Sequence, residues 1–363
     1  MTWEEDQALD TFIDKQLKKG YIVPSKSPYA SSFFFIKKKD RKLHPVQDYR
    51  RINAYTVHNR YPLPLISDLI HDLGGASLYL KLDVWQGYNN IHMKEEDEHK
   101  AAFKTCRGLF QPKVMYFGLC NSPATFQCFI DEVYHPTIAL HEALGTIIHI
   151  YMDDITIATK VQGTPEQQWL AHRRVVSDVL QVTMDNDLYF KPKKCTFHAT
   201  SIDYLGVIFG KGVTRMDPIK VAGICNWPTP QTVKDVHSFL GFCNFYCPFI
   251  HGFLAVAKPL NELTRKDVDW QWGTPLQTVF NTLKHCVTSE PILAQPDPNK
   301  QFVLEVDASG FAIGAVLLQM GDDRKYHPIS YYSSSLNEAE CNYNIYNQSS
   351  LLWSKDWTIT DLC

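Results

Sequence analysis

The sequence predicts a mixed α/β chain, and three observations carry that expectation. Runs of β-branched and aromatic residues bounded by turn residues recur, as at 146–150 and 155–158. Apolar residues at helical spacing recur as well, beginning with Leu9, Phe12, Ile13 and Leu17. The chain has 363 residues, 45% of them hydrophobic, which is enough for two or three domains with a sizeable core.

The elements follow in order. Residues 4–19 read as an amphipathic helix closed by Gly20. Residues 21–62 read as extended and proline-punctuated, with a β-hairpin whose tip is the basic run Lys37-Lys38-Lys39-Asp40-Arg41-Lys42. A short helix covers 64–73 and stops at Gly74-Gly75; a strand at 78–82 follows and ends on Asp83. Asn121-Ser122-Pro123 reads as an N-cap with proline in the first helical turn. After two strands around Tyr151-Met152-Asp153-Asp154 comes a long helix over 165–186. Phe209-Gly210-Lys211-Gly212-Val213 signals a hairpin. Residues 217–263 read as three helical pieces broken near Pro228 and Pro248, and 275–289 as another helix. Residues 291–300 carry three prolines and read as a linker, followed by paired strands at 302–307 and 313–319.

Composition narrows the function. No apolar run approaches the length of a membrane span, and the acidic N-terminus lacks the features of a secretory signal. An intracellular protein of cytoplasm or nucleus is expected, without a membrane partner. The ten cysteines show no CxxC spacing, and the lone Cys195-Thr196-Phe197-His198 reads as structural. Net charge is −3, yet residues 15–60 hold twelve Lys/Arg against two Asp/Glu. Such a patch suits phosphates through counterion release; a lysine cluster protecting a strand edge reads equally well.

The acidic turn is the sharpest feature. Adjacent carboxylates raise each other's pKa unless positive charge lies between them, which a divalent metal supplies. Asp-Asp is also an ordinary turn dipeptide. Asp83, at the end of its own strand, supplies a third carboxylate and favours a two-metal site for phosphoryl or nucleotidyl transfer.

Several segments in sequence order now resemble one family: residues 20–28, 48–53, 59–64, 81–84, 117–119, 121–127, 204–206 and 238–242. Together they are similar to the reverse transcriptase region of a gypsy-type long-terminal-repeat retrotransposon polyprotein, running into its RNase H-like domain. The resemblance implies an α/β (α+β) right-hand polymerase of fingers, palm and thumb followed by a truncated RNase H-like domain. It implies fingers and palm over 1–210, thumb and connection helices over 211–295, and an incomplete RNase H-like part over 296–363. Asp83, Asp153 and Asp154 map onto the palm carboxylates that hold two Mg²⁺, for which Mn²⁺ can stand in. Lys39, His44, Tyr88 and Gln127 map to positions around the incoming deoxynucleotide, Tyr88 beneath its sugar; without that mapping Gln127 reads as a surface helix residue. Arg50, Leu205 and Gly206 map to primer and template contacts, and Asp307 to the first metal carboxylate of the RNase H-like centre. The partners implied are a primed RNA or DNA template and dNTPs.

The chain also departs from that family. His44 stands where the triphosphate-contacting Arg is usual, and Arg41 replaces a turn glycine. Trp85, His92 and Cys247 also stand where relatives usually carry Arg, which is the pattern of C-to-T transitions in CGN codons. No acid occupies 346–352, where an RNase H glutamate is usual, and the later residues of that centre would fall beyond Cys363. The expectation is a weakened polymerase without RNase H activity. The alternative is an inactive relic that at most binds nucleic acid.

Overall fold

The computed structural model describes residues 2–37, 43–210, 212–289, 292–297, 299–309 and 312–336. Lys39 and the rest of the basic tip beyond Lys37 therefore lie outside the described residues, as does the segment 346–352. The chain divides into two compact units, one formed by Met1–Pro64, Leu80–Ile157 and Trp169–Phe197, the other by Leu65–Tyr79, Ala158–Gln168 and His198–Cys363.

The first unit opens with the helix Trp3–Lys18, started by a reciprocal capping box between Thr2 and Glu5. Its apolar stripe, Leu9 and Ile13, is fully buried against Ile22, Phe33, Tyr49, Phe103 and Phe110. These residues line a five-stranded sheet built from β1 (Ile22–Pro24), β2 (Ser31–Lys37), β3 (Leu43–Gln47), β5 (Phe103–Thr105) and β6 (Gly108–Pro112), in the order β1-β6-β5-β2-β3. β2 and β3 form the basic hairpin, with Ile36 opposite His44. Residues 84–120 give no strand signal in the sequence, because β5 and β6 are short; they pair with each other through Thr105 and Gly108, and join the sheet through the distant β2 and β1.

A second sheet places β4 (Leu78–Asp83) beside the acidic hairpin, β7 (Thr146–Tyr151) and β8 (Asp154–Thr159), with β9 (Thr196–Ala199) at its edge. The β-branched residues Ile148, Ile150, Ile155 and Ile157 are buried with Leu80, Leu82 and Val84, and helix Ser122–Glu142 packs on them through Phe126, Ile130 and Tyr134. Val175, Val179 and Leu188 close the same core. Truncating any one of these large aliphatic side chains to Ala costs about 2–5 kcal/mol. Asn121 precedes the helix but does not cap it with its side chain. That amide instead donates to the Val57 carbonyl and accepts from the Asn59 amide, so a tertiary tie outcompetes the local cap.

In the second unit, β10 (Ser201–Tyr204), β11 (Val207–Gly210), β12 (Val213–Met216) and β13 (Leu293–Ala294) form an antiparallel sheet in that order. β13 lies inside the segment expected to be a linker; Leu293 is buried, and its backbone pairs with Thr214, so burial overrides the surrounding prolines. Helices Pro218–Cys225, Val233–Phe245, Phe253–Leu263 and Thr274–Thr288 lie between β12 and β13 in the chain, with Phe239 packed on Phe280 at 4.5 Å. Three strands, β14 (Phe302–Ser309), β15 (Ala312–Met320) and β16 (Tyr326–Ser335), form a meander.

Candidate active site

The acidic tip is formed by the turn between β7 and β8. Met152 takes a left-handed conformation there, φ 54°, costly for a side chain with a Cβ. Beside it, the end of β4 is stitched to the turn, because the Val84 amide donates to the Asp153 carbonyl at 2.7 Å. The Asp83 carbonyl in turn accepts from the Lys191 amide at 2.9 Å. Two neighbouring strand ends thus present Asp83, Asp153 and Asp154 at one edge of the sheet.

Their electrostatics differ. Asp83 is buried, and its Oδ2 accepts from Lys194 Nζ at 2.5 Å. Asp154 faces Lys81 Nζ at 3.4 Å. Asp153 stands at the exposed tip, yet desolvation by the surrounding protein lifts its carboxyl above the usual range, and the charges of Asp154 and Asp83 push the same way against Lys194. Lys194 is held protonated above the ordinary lysine value, first by its bond to Asp83 and further by all three carboxylates. Lys81 and Lys194 were given no role by sequence reasoning. The available signal was their position: one is two residues before Asp83, the other in the run Lys191-Pro192-Lys193-Lys194.

Among the described residues no three His, Cys, Asp or Glu side chains close into a ready-made metal cage. Asp83 and Asp154 are drawn toward their lysines instead. The donor set nevertheless fits a hard divalent cation: three carboxylates within mutual Coulomb range, the central one raised in pKa by desolvation first and by the charges of Asp154 and Asp83 as well.

Tyr88 lies in the short 3₁₀ turn Gly87–Asn90. A Cβ on Gly87 would approach Phe126 Cζ to 3.0 Å, so glycine allows this turn to lie on the core. The Tyr88 ring packs on Phe117 at 4.6 Å, and its hydroxyl is 3.6 Å from Met152 Sδ. Burial, with Asp153 nearby, raises its phenol pKa. Tyr88 therefore stands next to the acidic turn.

Gln127 departs from expectation. Read in isolation as a surface helix residue, it is 0% exposed. Its Oε1 accepts from the Met152 amide at 2.7 Å, and its Nε2 donates to the Ile150 carbonyl at 3.2 Å and to Asp131 at 2.8 Å. In this conformation it faces hairpin backbone and leaves no surface for a nucleotide. His44 is half-buried on β3. Arg50 is exposed and forms a two-pronged pair with Asp48, Nε at 2.9 Å and Nη2 at 2.7 Å.

The remaining candidates belong to the second unit. Leu205 and Gly206 form the β10–β11 turn, both left-handed at φ 52° and 89°. The Gly206 carbonyl accepts from the Tyr246 hydroxyl and the Asp217 amide, each at 3.1 Å. Asp307 is exposed on β14, opposite Gly314.

Comparison with known proteins decides the family. Residues 36–209 match the family model described as reverse transcriptase (RNA-dependent DNA polymerase), and 272–352 match the RNase H-like domain found in reverse transcriptase. The chain belongs to the reverse transcriptase family, in its gypsy-type retrotransposon branch. Transposon Tf2-3 and Tf2-7 polyproteins of Schizosaccharomyces pombe are each 37% identical to it over 347 residues, 95% of this chain. The chain spans about a quarter of the length of these curated relatives, 25% of each. Among solved structures, a foamy viral protease-reverse transcriptase in complex with double-stranded DNA superposes with a TM-score of 0.82 at 19% identity, covering 98% of this chain and 60% of that one. The foamy viral enzyme in complex with an RNA/DNA hybrid superposes with a TM-score of 0.76, also at 19% identity, covering 98% of this chain and 46% of that one. The reverse transcriptase fold, mixed helix and sheet with an RNase H-like part, is thus established for this chain.

Proposed function

We propose that this reverse transcriptase family member is an RNA-directed DNA polymerase, adding deoxynucleotides to a primer 3′-hydroxyl on an RNA or DNA template. The supporting observation is the charge coupling of Asp153 to Asp154 and Asp83 at two stitched strand ends. In this reading Asp83, Asp153 and Asp154 hold two Mg²⁺, or Mn²⁺. When bound, the metal supplies charge neutralisation for the triphosphate and acidity for the primer hydroxyl. Lys194 and Lys81 steady the carboxylates until then and keep positive charge beside the site. Tyr88 forms the wall next to the turn where a deoxyribose sits, and His44 faces the triphosphate from β3.

The organisation proposed is fingers and palm over 1–210, thumb and connection over 211–295, and an RNase H-like part over 296–363. Lys26, Lys37, Arg50, Arg51 and Arg60 of the first unit are exposed cations of the kind that suits template phosphates. Leu205 and Gly206 offer a backbone turn for the primer. An imidazole at His44 lacks the planar fork of paired donors of an Arg guanidinium, so activity is set below that of an Arg-bearing relative. Among the described residues no helix is long and apolar enough to cross a membrane.

Primer extension on poly(rA)–oligo(dT) with Mg²⁺ tests the proposal. The parent extends the primer, and Asp153→Asn loses on the order of 10²–10³-fold in rate. Equal extension by the two would sink the assignment; salt-sensitive template binding with no extension, even with Mn²⁺, would support the relic instead.

A further inference from the structure

Gln127 is wired outward as well as inward. Its Nε2 donates to one oxygen of Asp131 at 2.8 Å, and the other oxygen of that carboxylate accepts from the Tyr61 hydroxyl at 2.8 Å. The direction of every bond is determined by chemistry. A carboxylate only accepts, so Tyr61 donates to it and the Gln127 NH₂ must face it. That orientation leaves Oε1 for the Met152 amide and the second N–H for the Ile150 carbonyl. The amide thus spans the two residues on either side of Tyr151, at the point where the chain enters a left-handed turn. Tyr61 and Asp131 lie at a surface cavity of about 320 Å³, with Cys128, Glu132, His135 and Pro136. The bond to Asp131 pushes the Tyr61 phenol up to about 12, so it remains a donor across the working pH range.

We infer that Tyr61, Asp131 and Gln127 form a positioning relay that fixes the backbone of the acidic turn from the surface cavity beside helix Ser122–Glu142. Gln127 acts here through the turn rather than on a nucleotide. The relay deepens the polymerase reading and rests on it for the kinetic readout alone.

Two measurements test the relay, using the full chain and the variants Gln127→Ala, Gln127→Glu, Asp131→Asn and Tyr61→Phe. The first is independent of activity. The chain has seven methionines, so ¹³C-methyl-methionine NMR gives a countable spectrum, with Met152 assigned by Met152→Leu. The Met152 methyl signal is expected to shift or broaden in Gln127→Ala, Gln127→Glu and Tyr61→Phe while the other signals hold. Gln127→Glu keeps the size but sets an oxygen against a carboxylate and a carbonyl, so a space-filling role would spare it. Tyr61→Phe removes one oxygen at the surface and keeps the fold testable if the buried variants fail to fold. The second is steady-state extension: kcat falls about tenfold in Gln127→Glu and about threefold in Tyr61→Phe, with the dNTP KM unchanged, as expected for displaced reacting groups. An unmoved Met152 signal in both Gln127→Glu and Tyr61→Phe overturns the relay, and so does a rise in KM at constant kcat. A parent that extends nothing overturns the polymerase reading, while the NMR result still decides the relay.

Discussion

Two hairpins in this molecule make the same turn for different ends. After Tyr151 the chain goes left-handed at Met152, φ 54°; after Tyr204 it goes left-handed at Leu205, φ 52°. Both place a side chain in a conformation that glycine would take more cheaply. Their supports differ. The first turn is held from within its own unit by the Gln127 amide on Met152, and its tip carries two acids, of which Asp154 faces Lys81. The second continues into Gly206, whose carbonyl accepts from Tyr246 and Asp217, and its tip carries no charge. Turn geometry therefore gives a chemical site only where charge has been gathered round it. A left-handed residue marks a built tip, and the neighbours say what the tip is for.

The comparison can be broken at its charged end first. Asp153→Asn is expected to cut primer extension on the order of 10²–10³-fold. The same variant should stabilise the metal-free fold. The folded-state pKa of Asp153 is raised, so the charged form is the disfavoured one. The penalty is full above the folded pKa and vanishes below the ordinary carboxylate value. Melting curves should show a higher Tm for Asp153→Asn at neutral pH, with the gain fading as pH falls through the carboxylate range. A gain that persists in acid would point to packing instead.

Next in size is His44→Arg, which restores a charged donor on β3. An increase of roughly ten- to a hundredfold in kcat/KM for dNTP is expected, the scale of one charge-assisted hydrogen bond. No gain would place His44 outside the nucleotide's reach. Lys194→Met then leaves the buried Asp83 oxygen without its donor, at a cost of about 1–3 kcal/mol in urea denaturation. Unchanged stability would show that water replaces the lysine.

The smallest effect lies at the uncharged turn. Gly206→Ala adds a Cβ at φ 89°, 3.1 Å from the Tyr246 hydroxyl. A loss of about 1–2 kcal/mol is expected from the left-handed strain. A neutral result would mean that the turn relaxes and its tie to Tyr246 is dispensable.

What the sequence made legible followed from local chemistry. β7 and β8 showed themselves through β-branched residues on both sides of the acidic turn, and the helix Trp3–Lys18 through its apolar stripe. The metal-site reading needed only three aspartates and their strand ends. What stayed hidden was tertiary. Gln127 reads as a surface residue until the hairpin backbone closes over it. Lys194 meets Asp83 across 111 residues of sequence, and no local pattern announces such a pair. β13 looked like linker because prolines surround a strand of two residues, and β16 carries no punctuation as clear as that of β14 and β15.

The central claim is that Asp83, Asp153 and Asp154 form one cation site. Mn²⁺ titration followed by electron paramagnetic resonance, on the parent and on Asp83→Asn and Asp153→Asn, tests it most directly. The parent is expected to bind Mn²⁺, and each variant to bind it at least about tenfold more weakly, since each removes a hard oxygen donor from the same site. Equal Mn²⁺ affinity in all three proteins would contradict it.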